Sequence, residues 1–171
     1  MNFIVVDVET ANRNPGSICQ IGVASFRDGS LSGLWGSLVD PEVPFSAHNI
    51  AIHGIRPEDV NDAPNWLDIQ GELRTHFGDL VVASHTYFDF CAIRNANERY
   101  GVAQIPWEDW VDTCKIARAA WPHLPSYKLS HLAHTFGISY HAHNATCVFG
   151  KPALSRILGL FPGGFAATTS G

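Results

Sequence analysis

The stretch FIVVDVET at residues 3–10 decides the fold, because it combines an apolar strand with acidic side chains at its end. Asp7 and Glu9 lie two positions apart, and the two-residue period of a strand places both side chains on one face. Two carboxylates that converge at a strand end repel each other unless a cation lies between them, and such hard oxygen ligands suit Mg²⁺ or Mn²⁺. Taken alone, the spacing is also typical of solvated turn residues, so the surrounding sequence decides between the two interpretations.

That surrounding sequence predicts an α/β fold with a mixed β-sheet flanked by α-helices. Short apolar runs separated by turn-forming residues predict strands at the beginning of the chain. Apolar residues three and four apart then predict helices, three of which end at a glycine. The predicted strands are 2–8, 18–26, 31–39 and 80–83, and the predicted helices are 66–77, 90–100, 113–120 and 128–136.

Composition indicates one domain over residues 1–171, because 46% of the residues are apolar and 11% are aromatic. No long uncharged apolar run is present, and Met1 leads directly into the first predicted strand. The four cysteines are far apart and contain no C-x-x-C pair, which is typical of reduced thiols. We therefore expect a cytoplasmic protein with no membrane association.

Charge is distributed unevenly along the chain. Residues 1–112 hold all 16 acidic residues and six of the 11 Lys and Arg residues, so their formal charge is −10. Residues 113–171 hold the other five basic residues and no acidic residue, so their formal charge is +5. The pattern fits either a cation-binding acidic pocket beside a surface that tolerates phosphate, or chance surface composition.

Five motifs occur in an order that identifies a family resemblance. The DVET motif at 7–10 is followed by SICQIG at 17–22, HGI at 53–55, HTYFD at 85–89 and HAHNA at 141–145. This order resembles the DEDDh 3′-to-5′ exonucleases, which include the epsilon proofreading subunit of DNA polymerase III and ribonuclease T. The resemblance implies a ribonuclease-H-like fold. It also implies removal of nucleotides from a 3′ end by hydrolysis that depends on two metal ions.

The resemblance assigns roles to four residues of this chain. Asp7, Glu9 and Asp89 would hold the two Mg²⁺ or Mn²⁺ ions, and Asp7 would bridge them. His143 would be the general base, and a histidine near its ordinary pKa of about 6.5 can accept a proton at neutral pH. His143 is preferred to His141 because it directly precedes the Asn-Ala step that matches the family.

The resemblance also implies contacts to the substrate. Thr10 matches a contact to the terminal nucleotide, His53 and Ile55 match residues that bind or wedge against the terminal base, and Phe88 matches a stacking residue. Stacking and backbone contacts carry little sequence information, so we expect a single-stranded 3′ end of DNA or RNA to bind without strong base preference.

The chain departs from the family at position 148. The family has an aspartate five residues after its histidine, whereas this chain has Val148, and nothing after Asp112 is acidic. We expect one metal to be held weakly and the nuclease activity to be impaired or absent. The segment from about 146 is also atypical, because Gly150 and Pro152 interrupt the expected long helix. Natural divergence and a change of reading frame after Ala145 both account for it.

Other functional readings use the same residues differently. A catalytically inactive module would use the cleft to hold a nucleic-acid end or to attach to a DNA polymerase, and Val148 is the feature that favours it. A zinc site at His141, His143 and Cys147 is disfavoured, because these ligands are crowded and no distant pair completes them. Some relatives form dimers, but no interface for a homodimer is recognisable in the sequence.

Overall fold

The computed structural model describes residues 2–137, so His141, His143, Cys147 and Val148 lie outside the described residues. The described chain is a five-stranded mixed sheet with helices on both faces, as the sequence predicts. The strands are β1 (Phe3–Thr10), β2 (Ile18–Arg27), β3 (Ser30–Leu38), β4 (Val81–Ser84) and β5 (Asp109–Asp112). The helices are α1 (Ala47–His53), α2 (Gln70–Phe77), α3 (Phe88–Tyr100), α4 (Thr113–Ala120) and α5 (Leu129–Thr135), with a short 3₁₀ turn at Pro57–Asp59.

Sheet order places β1 at the centre. The order is β3-β2-β1-β4-β5, with β1 and β3 antiparallel to β2, whereas β4 is parallel to both β1 and β5. Because β1, β4 and β5 run in the same direction, their carboxyl ends lie at one edge of the sheet. In open α/β sheets this edge is where ligands bind.

Side chains of β1 alternate between two cores. Ile4, Val6 and Val8 face the larger core, which includes residues of α2 and α3. Phe3 and Val5 face a smaller core, which includes residues of α4 and α5. The period of two therefore gives β1 apolar contacts on both faces, as expected for a strand between helical layers.

The helix predicted from Trp66 begins later in the structure, at Gln70. Asn65 Oδ1 accepts hydrogen bonds from the N–H groups of Leu67 and Asp68, and Asp68 Oδ2 accepts one from Asn65 N–H. These local bonds form a turn that competes with the first helical turn. Trp66 is nevertheless a core residue, with only 1% of its surface exposed.

Two elements were not predicted from the sequence. Helix α1 buries only His53 and is defined at its ends by the Ser46 cap and by Gly54, which has a φ of 79°. Strand β5 is only four residues long and pairs with β4 over its whole length. None of the helices in the described part of the chain has both the length and the hydropathy needed to span a bilayer.

Candidate active site

The acidic pair lies at the carboxyl end of β1. Asp7 and Glu9 are both half-buried, whereas Val8 between them is buried. They share the face of β1 that also carries Phe3 and Val5, but they lie past the end of that apolar packing. The shared face predicted from the sequence is therefore observed, and it presents two carboxylates at the edge where the parallel strands end.

Asp89 joins this pair through the backbone of β1. The β1–β4 pairing ends at Val5 and Ala83, and the Val8 N–H beyond it donates a hydrogen bond to Asp89 Oδ1 at 2.9 Å. Asp89 lies in the first turn of α3 and is only 5% exposed. The Asp89 carboxylate thus accepts the hydrogen bond that a neighbouring strand would otherwise accept. It fixes the start of α3 beside Val8, the residue between Asp7 and Glu9.

These three residues offer only oxygen donors. Within residues 2–137, no three Asp, Glu, His or Cys side chains already form a group able to hold a metal ion. Mg²⁺ usually retains several waters and takes one or two protein carboxylates, so the acidic pair fits this ion by donor type. Asp7 and Glu9 would hold the cation, and Asp89, next to Val8, would contribute a third carboxylate.

Cys19 lies close enough to Glu9 for the charge of that carboxylate to affect the pKa of its thiol. Burial, reinforced by the negative charge of Glu9, raises the pKa of the Cys19 thiol to about 12. The side chain is 0% exposed. Cys19 is therefore protonated at neutral pH and supplies no thiolate to the site.

Thr10 is fixed by two side chains of α1. Asn49 Nδ2 donates to Thr10 O at 2.8 Å and to Thr10 Oγ1 at 3.2 Å. Ile55 N–H donates to His53 Nδ1 at 3.0 Å, so the ring proton is on Nε2, which donates to Thr10 O at 3.2 Å. Asn49 was not identified from the sequence, although the Ser46-x-x-Asn49 spacing at a helix start was a usable signal.

The predicted substrate residues differ in exposure. Thr10, His53 and Ile55 are 6%, 5% and 3% exposed. Ile55 packs in a small core with Cys19 and Val60. Phe88, in contrast, is 46% exposed at the first residue of α3, directly before Asp89. Of these side chains, the Phe88 ring is the most accessible surface for stacking.

Thr86 has a strained backbone in the loop before α3. Its φ is 91°, a region that β-branched residues rarely adopt. Ser84 Oγ donates to Thr86 O at 2.6 Å, and Phe88 N–H donates to Thr86 Oγ1 at 3.3 Å. The loop that presents Phe88 therefore holds an unfavourable conformation through local hydrogen bonds.

Thr86→Gly is expected to raise the free energy of unfolding by about 1 kcal/mol, because relief of strain exceeds the cost of ordering a glycine. Urea unfolding measures the change. Thr86→Val is the matched control, since it keeps the β-branch and replaces only the hydroxyl with a methyl group. A glycine variant no more stable than the wild type would contradict the inferred strain.

Comparisons with known proteins agree with this architecture. Exonuclease X, solved in complex with 5′-overhanging duplex DNA, matches with a TM-score of 0.68 and 24% identity over 92% of this chain and 91% of that chain. Exonuclease I of Escherichia coli, solved with single-stranded DNA and a zinc ion, matches with a TM-score of 0.77 and 20% identity over 91% of this chain and 39% of that chain. These likenesses confirm the ribonuclease-H-like fold.

Sequence comparisons then give the family. The family model described as Exonuclease matches residues 4–146, and the chain belongs to this family of DEDD-type 3′-to-5′ exonucleases. Among its relatives are PolC-type DNA polymerases III of Latilactobacillus sakei, 26% identical over 145 residues, and of Oceanobacillus iheyensis, 29% identical over 147 residues. Each alignment covers 83% of this chain and 10% of the relative, so the chain spans a small part of these polymerases.

Proposed function

We propose that the chain is a 3′-to-5′ exonuclease domain that removes nucleotides from single-stranded 3′ ends of DNA or RNA. One observation carries the proposal. Asp7 and Glu9 share a half-buried face at the end of β1, and Asp89 is hydrogen-bonded to the backbone between them. This arrangement places carboxylates where the parallel strands end, as a cation that binds phosphate requires.

Divalent metal ions, when bound, would stabilise the attacking and leaving oxygens of the scissile phosphate. The protein supplies the other parts of the reaction. Asp7, Glu9 and Asp89 supply the carboxylates that would hold the metal ions. Thr10, which Asn49 and His53 fix in place, positions the terminal nucleotide. Phe88 offers its exposed ring to a base.

His143 remains the proposed general base, and Val148 the proposed cause of weakened activity; both lie outside the described residues. His53 and Ile55 are too buried to offer much surface to a base, so we propose that they act on the substrate mainly by positioning Thr10, since Ile55 N–H holds His53 and His53 contacts Thr10 O. The polymerase relatives support a DNA polymerase as a partner, because they carry the matching segment within a polymerase chain.

The direction of cleavage tests the proposal. A 5′-labelled single-stranded oligonucleotide incubated with Mg²⁺ or Mn²⁺ is expected to shorten in single-nucleotide steps from its 3′ end. Asp7→Asn is expected to reduce the rate by about 100-fold or more, because it removes charge from the metal site while keeping the side-chain shape. Shortening from the labelled 5′ end, or equal activity in Asp7→Asn, would contradict the proposed site.

The alternative is a module that binds a nucleic-acid end without cleaving it. Val148 is the observation that favours this reading. Binding of the same oligonucleotide in EDTA, with no cleavage under any metal condition, would support it.

A further inference from the structure

Two helices begin at the edge of the sheet that carries the acidic pair. Helix α3 follows β4 after a three-residue loop, and α4 follows β5 directly at Thr113. Because β1, β4 and β5 are parallel, the starts of both helices lie at the same edge as Asp7 and Glu9. The surface formed by these helix starts is therefore next to the proposed site.

This surface carries two pairs of a cation and an aromatic ring. Lys115 Nζ lies 5.4 Å from the centre of the Tyr87 ring, and Arg118 Cζ lies 4.5 Å from the centre of the Tyr127 ring. Lys115 and Arg118 are three residues apart on α4, so they occupy neighbouring positions on one side of the helix. We call these four residues the α4 stripe.

Three of the four residues of the α4 stripe are exposed, and the fourth, Tyr127, is half-buried. Tyr87 is 42% exposed, and Lys115 and Arg118 are also exposed. Tyr87 directly precedes Phe88, which is 46% exposed. An aromatic surface therefore extends from the proposed stacking residue towards the basic side chains of α4.

Charge along this part of the chain has one sign. Residues 113–137 contain Lys115, Arg118 and Lys128 and no Asp or Glu. Asp112 lies at the start of α4, where its carboxylate accepts hydrogen bonds from the N–H groups of Cys114 and Lys115. The stripe is thus a cationic and aromatic surface beside an acidic site. Its cations can bind the phosphates of a nucleic acid, and its aromatic rings can stack on the bases.

We propose that the α4 stripe binds the phosphates of the nucleotides immediately 5′ of the terminal one in a single-stranded nucleic acid. Lys115 and Tyr87 lie nearer the sheet edge and contact the first of these nucleotides. Arg118, about 4.5 Å further along the helix axis, contacts the next. The inference rests on the proposed function, because it takes the terminal nucleotide to lie at Asp7 and Glu9.

Salt dependence of binding tests the stripe without requiring cleavage. The probe is a 5′-fluorescein-labelled oligothymidylate with phosphorothioate linkages, and its anisotropy is measured in EDTA over a range of NaCl concentrations. Replacing both cations, in Lys115→Gln/Arg118→Gln, is expected to weaken binding by roughly 10-fold or more at low salt. It should also reduce the slope of log K against log salt by about 1.4, since each lost phosphate contact on a single strand contributes about 0.7.

Arg99→Gln is the matched control. Arg99 Cζ lies 5.0 Å from the Tyr100 ring, so it is also part of a cation–aromatic pair, but it is in the last turn of α3. At 1.5 Å per residue, it lies about 16 Å along the helix from Phe88. Affinity and slope are expected to match those of the wild type, and circular dichroism checks that all variants remain folded.

The outcomes separate the two proposals. A double variant with the same affinity and slope as the wild type overturns the stripe and leaves the exonuclease proposal intact. A loss in Arg99→Gln that is half that of the double variant or more also overturns it, because the effect per removed charge would then be that of net charge. Failure of the wild type to bind the oligonucleotide in EDTA at any salt concentration also overturns the stripe, whereas the exonuclease proposal is tested separately by cleavage with Mg²⁺ or Mn²⁺.

Discussion

Val148→Asp is expected to raise the rate of nucleotide release by about 10- to 100-fold, because under the proposed function it would add a fourth carboxylate to the metal site. Position 148 lies outside the described residues, and the expectation rests on its spacing of five from His143. The measurement is release of nucleotides from a single-stranded 3′ end with Mg²⁺ and with Mn²⁺.

Two further variants show whether the gain comes from metal binding. Val148→Asn has nearly the same shape as Val148→Asp without the charge, and it is expected to give little or no gain. Adding Asp7→Asn to Val148→Asp is expected to abolish the gain, because both carboxylates would serve the same ions in the proposed site. If the wild type is already active and Val148→Asp does not change the rate of nucleotide release, three carboxylates are sufficient. The proposal that Val148 weakens the activity would then be wrong.

Phe77→Ala is expected to lower the free energy of unfolding by about 3–5 kcal/mol, because it leaves a cavity in a well-packed core. Phe77 is 0% exposed, and its ring centre lies 6.5 Å from that of Trp107 and 6.4 Å from that of Trp110. A loss of this size is a large fraction of the stability of about 5–15 kcal/mol that is usual for a domain. Chemical denaturation monitored by tryptophan fluorescence measures it.

Phe88→Ala is the contrasting variant, since Phe88 is the same residue type but is 46% exposed. Its free energy of unfolding is expected to change by about 0.5 kcal/mol or less. Its affinity for a single-stranded 3′ end is expected to fall, because stacking of a base is lost. Equal destabilisation by the two substitutions would show that the exposure of Phe88 does not persist in solution.

The strongest sequence patterns predicted their elements well. β1 and β2 are apolar segments bounded by turn residues, and the alternation in β1 correctly placed Asp7 and Glu9 on one face. β3 was also predicted, from its Leu and Trp residues between turn-forming ones. The patterns in α3 and α4 also gave the observed helices to within a few residues. In these elements, local preference and tertiary packing favour the same conformation.

The missed elements depend on tertiary contacts. In β5, Trp110 and Val111 lie between two aspartates, and so short a run has no recognisable period. Pairing with β4 makes it a strand. Likewise, no spacing rule connects Lys115 to Tyr87, because 28 residues separate them and only the parallel pairing of the strands brings them together.

The position of Asp89 has a consequence for the order of folding. Strands β1, β2 and β3 form a meander within residues 3–38, whereas Val8 and Asp89 are 81 residues apart in the chain. Closing a long loop costs more conformational entropy than closing a hairpin, so local pairings form faster than distant ones. The meander is therefore expected early in folding, and the three carboxylates come together only when β4 docks beside β1. The candidate site is thus expected to be among the last parts of the domain to assemble, after a stage that has the acidic pair but not its third member.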